Sequence, residues 1–130
     1  CNTIYGDYTW FVYAVFITNA YGSDDNGYVL PYNFIDISDG QFEDYIAEID
    51  KRKLYTTGVD INPGDKILTL STCSYEFDDA RLVVIARLKR TGESASVDTS
   101  KAIQNPNPKY PQAWYDAYKK NNPYAEDSNW

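Results

Sequence analysis

The chain has 130 residues, of which 43% are hydrophobic and 16% aromatic, including 13 tyrosines. That is one packed domain rich in strand formers, and too apolar for a disordered segment. Twelve basic against nineteen acidic side chains leave a formal net charge of −7, which argues against nucleic acid as a partner and leaves the acids to solubilise or to meet a cationic peptide.

In chain order, Tyr8 to Thr18 is almost entirely aromatic and β-branched, the pattern of a strand covered on both faces in mid-sheet. Asn19 to Asn26 clusters loop formers, and Gly27 to Ile37 resumes weaker extended structure around Pro31. Ser38-Asp39-Gly40-Gln41 has the spacing of a capping box. It opens a predicted helix over 41–54, with Phe42, Tyr45, Ile46, Ile49 and Leu54 forming an apolar stripe and the charged residues facing solvent. Gly58 fits the helix exit, a short strand is expected near Thr56 to Ile61, and Asn62-Pro63-Gly64-Asp65 is a turn.

Lys66 to Arg90 reads as two strands joined by an acidic turn, with Cys73 ending the first and Arg81 opening the second. If the strands are neighbours, a thiol and a guanidinium meet at the same sheet edge. A thiolate is a nucleophile, and a fixed cation with several donors can favour it or hold an oxyanion. Alternation along the strand puts Thr69, Ser71 and Cys73 on one face, predicted to line a cleft. Leu68, Leu70 and Thr72 then share the other, predicted to enter the core. On residue type alone, Arg81 would pair with Glu76, Asp78 or Asp79. Ser71 is the hydroxyl best placed to assist the thiol, and the backbone of Thr72 supplies an amide adjoining it.

After Arg90 the chain becomes small and polar, Asn105 to Pro108 prevents regular structure, and Pro111 to Lys120 is predicted as a short helix. Trp114, Tyr115 and Tyr118 either pin this tail to the domain or form a stacking platform. The boundaries are therefore 1–90 for the domain proper and 91–130 for a polar linker and aromatic tail. No Gly-rich phosphate loop or Cys/His metal cluster is present, so no cofactor or metal is expected. Cys1 and Cys73 could pair on arithmetic, but the terminal place of Cys1 and the context of Cys73 favour a free thiol. The longest apolar run, Trp10 to Ile17, is far short of the roughly 20 residues of a membrane span, so any anchor is expected outside this sequence.

The Thr69-Leu-Ser-Thr-Cys73 run, with Arg81 opening the next strand, resembles the nucleophile and arginine strands of the sortases, the cysteine transpeptidases of Gram-positive cell walls. The order of the helix at 41–54, Leu54-Tyr-Thr-Thr-Gly-Val-Asp60 and Asp65-Lys-Ile-Leu-Thr-Leu-Ser-Thr-Cys73 resembles the class B branch, over about Thr3 to Arg90. The resemblance implies a mainly β fold, part of a sortase β-barrel with one amphipathic helix and an irregular tail. It implies Cys73 as nucleophile, Arg81 steadying oxyanion or substrate, and Ser71 and Thr72 in support. The implied partners are an N-P-x-T-G-like sorting-signal peptide and a peptidoglycan precursor amine, at the outer face of a Gram-positive membrane. Sortases also need a histidine, and this sequence has none. The family pattern puts it on a part preceding Thr3, so this chain alone is expected to be inactive and to seek that part or another copy. The alternatives are a non-catalytic module of the same fold and a lipid-anchored surface protein beginning at Cys1.

Overall fold

The computed structural model describes residues 2–3, 6–21, 39–94, 96 and 99–125. Strand outweighs helix, 32% to 21%, so the fold is mainly β. Short strands β1 (Asn2–Thr3) and β2 (Gly6–Asp7) pair with each other, and β3 (Trp10–Asn19) follows. Helix α1 (Asp39–Arg52), β4 (Tyr55–Thr56), β5 (Ile67–Cys73), β6 (Ala80–Leu88), β7 (Ile103–Gln104) and α2 (Gln112–Ala117) complete the order. The main sheet runs β3-β6-β5, antiparallel throughout, and β4 pairs with β7.

Among the described strands β6 is the centre of this sheet, and the strand expected in mid-sheet, β3, has one described neighbour. β6 earns that place by composition: Leu82, Val83, Val84 and Ile85 are branched on both faces, so it can be flanked and covered at once. The expected strand near 28–37 and the Ser38 end of the capping box lie outside the described residues.

α1 lays Tyr45 and Ile49 against Ala14, Phe16, Val83 and Ile85, with Ile46, Ile61 and Ile67 at the margin. Phe16, Ile49, Val83 and Ile85 are fully buried. The predicted charged face is only partly solvated, since Glu48 and Arg52 are buried together, 2.7 Å apart across one turn. Burial pushes the Glu48 carboxyl up, but the Arg52 and Lys51 cations outweigh it and hold the group below its ordinary value.

A bulge at Tyr13 breaks the alternation of β3, since Val12 faces Ala86 while Ala14 faces Ile85. The extra residue turns Tyr13 toward α1, where its hydroxyl donates to Asp50 at 2.5 Å. Burial first, and then that carboxylate, push the phenol well above its usual range. α1 stops at Arg52, six residues before Gly58, so Gly58 is not its exit. That glycine has φ +77°, and a Cβ there would come within 2.9 Å of the Lys101 Cβ, so a side chain is excluded twice over. The Asn62–Asp65 turn forms as expected, with the Asp65 amide donating to the Asn62 carbonyl at 3.1 Å.

Beyond β6, Arg87, only 2% exposed, donates to Glu93 through both terminal nitrogens at 2.6 and 2.8 Å and through Nε to the Asp60 carbonyl at 2.6 Å. Arg90 grips Asp65 and Asp60 at 2.6 and 2.9 Å. These pairs tie the loop between β4 and β5 to the far end of the sheet. They hold Glu93 down to about 2, first through the Arg87 hydrogen bonds, and hold Asp60 and Asp65 low, first through Arg90.

Candidate active site

The register of β5 against β6 sets Cys73 directly across from Arg81. At the two ends of this ladder, the Leu88 amide donates to the Lys66 carbonyl at 2.8 Å and the Ser74 amide to the Ala80 carbonyl at 2.9 Å. Bonded and non-bonded pairs alternate in an antiparallel ladder, so the even-numbered residues of β5 are bonded to β6, and Cys73–Arg81 is a non-bonded pair. In such pairs the Cα atoms stand about 4.5 Å apart and the side chains on one face are closest. The thiol and the guanidinium stem therefore rise side by side from the same face, as the motif predicts.

The same alternation sets the direction of the Thr72 amide. Opposite Leu82 it occupies a bonded pair, so its amide is committed to the ladder. β5 has no further neighbour among the described strands, and the amides of Ser71 and Cys73 point to that open side. A free backbone donor beside the thiol is thus that of Cys73 itself. Ser71 shares the Cys73 face, two residues back and opposite Val83, with its side chain exposed.

Two-residue periodicity sent the leucines of β5 into the core, and the structure overturns that half of the reading. The helix-covered core contains Val83 and Ile85, which stand opposite Ser71 and Thr69. The polar face of β5 therefore continues the core face, at its uncovered end. Leu68, Leu70 and Thr72 lie on the reverse, where Leu70 is 54% exposed. α1 lies over β3 and β6, so what decides the faces is the place of the helix, which a strand's own pattern does not encode.

Cys73 is exposed and its thiol is free, and Cys1 lies outside the described residues. With Ser74, Tyr75, Phe77, Asp78, Asp79 and Arg81, Cys73 lines a cavity of about 290 Å³. The turn that closes it holds Asp79 at φ +62°, in the left-handed region that aspartate tolerates better than most residues. Arg81 donates from Nη1 to the Ala80 carbonyl at 3.1 Å, and no carboxylate among the described residues pairs with it. The ion pair that residue type alone allowed with Glu76, Asp78 or Asp79 does not form. On the next strand, buried Thr18 stands across Arg81 and completes a row Cys73–Arg81–Thr18. Sequence reasoning missed Thr18 because partners across a sheet carry no local signal.

The tail reaches the same turn. Asn105 and Lys109 donate their amides to the carbonyls of Leu54 and Lys51 at 2.8 and 2.7 Å, which fixes the tail to the end of α1. Tyr110 and Trp114 stack with ring centres 3.9 Å apart, and Tyr115 is buried beneath them. These rings pack on one another within the tail, and the backbone bonds to Leu54 and Lys51 hold it to the domain. The Tyr118 hydroxyl donates to Glu76 Oε2 at 2.7 Å, and this bond raises the phenol above its ordinary value. Among the described residues, no group of three or more His, Cys, Asp or Glu is placed to hold a metal ion, and no helix is long and apolar enough to cross a membrane.

A mainly β domain that presents a free thiol beside an unpaired arginine at an open sheet edge has the makings of a thiol-dependent acyl-transfer site. The comparisons point the same way. The chain is 32% identical over 78 residues to Sortase B of Listeria monocytogenes serovar 1/2a (strain ATCC BAA-679 / EGD-e), a match covering 58% of this chain and 31% of that protein. This similarity supports a relationship to the sortases, and the chain spans about a third of the length of the relative it matches. No family model matches the chain, and no solved structure matches it.

Proposed function

We propose that this chain carries the nucleophile and arginine of a class B sortase-like cysteine transpeptidase acting on an N-P-x-T-G-like sorting signal. The observation that carries the reading is the Cys73–Arg81 pair on the open side of the sheet, in a chain similar to Sortase B. In this scheme the Cys73 thiolate attacks the threonine carbonyl carbon, and the resulting oxyanion meets Arg81 and the Cys73 amide. Collapse breaks the peptide bond, leaving a thioester on Cys73, while the departing amine takes a proton from a general acid. An amine of a peptidoglycan precursor then attacks the thioester, loses a proton, and regenerates the thiolate. The setting is the outer face of a Gram-positive cell membrane. Residues 1–90 are the C-terminal part of the catalytic domain, and 91–130 are an appended linker and tail.

The 130 residues include no histidine, so the general acid comes from elsewhere in the parent protein. An N-P-x-T-G peptide should be left intact by the isolated chain, cleaved once the N-terminal portion is supplied, and left intact again with Cys73→Ala. Turnover by the isolated chain that vanishes in Cys73→Ala would make the histidine dispensable and overturn these roles. The missing histidine also favours a second reading, a non-catalytic module that keeps the fold. Peptide binding without cleavage, even with the N-terminal portion present, would establish that one.

A further inference from the structure

The turn from Ser74 to Asp79 carries three carboxylates, Glu76, Asp78 and Asp79, next to Arg81 in sequence, yet none of them pairs with it. Asp78 and Asp79 border the cavity together with Arg81, whereas Glu76 is absent from its lining. Glu76 instead accepts the Tyr118 hydroxyl at 2.7 Å, a contact between residues 42 apart in sequence. Tyr118 arrives there on a braced element. Its amide donates to the Trp114 carbonyl at 3.1 Å and its ring centre lies 4.8 Å from that of Trp114. Trp114 in turn stacks on Tyr110, above a Tyr115 that is only 4% exposed.

We propose that Tyr118 is a positioning residue: it draws Glu76 out to the C-terminal end of α2 and so keeps Arg81 free of a carboxylate partner, beside Cys73. The proposal rests on reading Cys73 and Arg81 as a working pair. Glutamate has a longer reach than either aspartate of the turn. Once released, its carboxylate would close on the guanidinium, cancelling the charge that faces the thiol and occupying the donors meant for an oxyanion. A tyrosine suits the task because it supplies a neutral donor that satisfies the carboxylate and adds no second cation to compete for the substrate. The tail is thereby part of the site, though it contributes no atom to the cavity.

The test compares alkylation of Cys73 in the full chain by iodoacetate, an anion, and by iodoacetamide, its neutral analogue. The ratio of the two rates reads the positive charge beside the thiol, while changes in exposure or thiolate fraction move both rates together. Arg81→Gln should abolish the preference for iodoacetate. Tyr118→Phe should lower the ratio roughly fivefold, the size of a unit-charge interaction at about 4 Å in water. The double variant Tyr118→Phe/Glu76→Gln should restore it. A Tyr118→Phe ratio equal to wild type, or a loss that Glu76→Gln does not reverse, overturns the positioning role and leaves the Cys73–Arg81 pair standing. A ratio indifferent to Arg81→Gln would instead remove the pair, and the proposed function with it.

Discussion

Arg81 owes its interest to geometry at the level of single atoms: it sits across from Cys73, and its guanidinium is occupied by one carbonyl alone among the described residues. If it holds an oxyanion or substrate carbonyl, the planar fork of donors matters as well as the charge. Under the proposed function, Arg81→Lys in the reconstituted protein should therefore fail to rescue what Arg81→Ala loses, with turnover falling on the order of 10²-fold or more in both. A lysine variant near the wild-type rate would reduce Arg81 to a point charge. Cys73, exposed and free, should be modified by iodoacetamide in the folded chain, as peptide mapping can show. Resistance to the reagent, or a Cys1–Cys73 disulfide in non-reduced digests, would contradict the site. The juxtaposition of the two residues was legible in the Thr69–Cys73 run and the acidic turn. The direction of the Thr72 amide was not, because ladder phase decides it, and phase depends on the register with β6.

Among the elements, α1 and the arginine network set what the site can rely on. Ile49 is fully buried between α1 and the sheet, so Ile49→Ala should cost about 2–5 kcal/mol, read as a drop in the denaturation midpoint at unchanged slope. The network predicts acid sensitivity. Glu93 is held at about 2 against an ordinary 4.5, and Asp60 and Asp65 are lowered too. Depressed carboxylates bind fewer protons folded than unfolded, so their contribution is complete above the unfolded values and is lost as pH falls from about 4.5 toward 2. Thermal melts across that window should show a falling midpoint, and Glu93→Gln should flatten the fall. A wild-type midpoint independent of pH there would mean the pairs contribute nothing. The helix stripe and the Asn62–Asp65 turn were legible because both are local patterns. The bulge at Tyr13 was not, since an extra residue in one strand is defined only against its partner.

At the scale of the whole molecule, α1 covers one face of the sheet, while on the other Ile17 and Ala86 are buried but Val12 and Leu70 are 42% and 54% exposed. β5 also has an open side among the described strands. Unpaired strand edges flanked by aliphatic side chains seek partners. The chain should therefore self-associate with rising concentration in sedimentation experiments, and Leu70→Lys should suppress this without lowering the melting temperature. A monomer at all concentrations would show that the face is adequately protected.

The amino-acid sequence by itself determined the mainly β class, the helix stripe, the strands that end at Cys73 and carry Arg81, and the turn between them, because each is written in residues close together along the chain. It also determined that no histidine is available within these 130 residues. Only the tertiary structure decided which face of β5 meets the core, that β6 is central among the described strands, which amide beside Cys73 points away from β6, and that Tyr118 reaches Glu76 from 42 residues away. Those features depend on which elements lie against one another. A strand's alternation is identical whichever side the helix covers, and a hydrogen bond across the fold leaves no trace in the residues on either side of it.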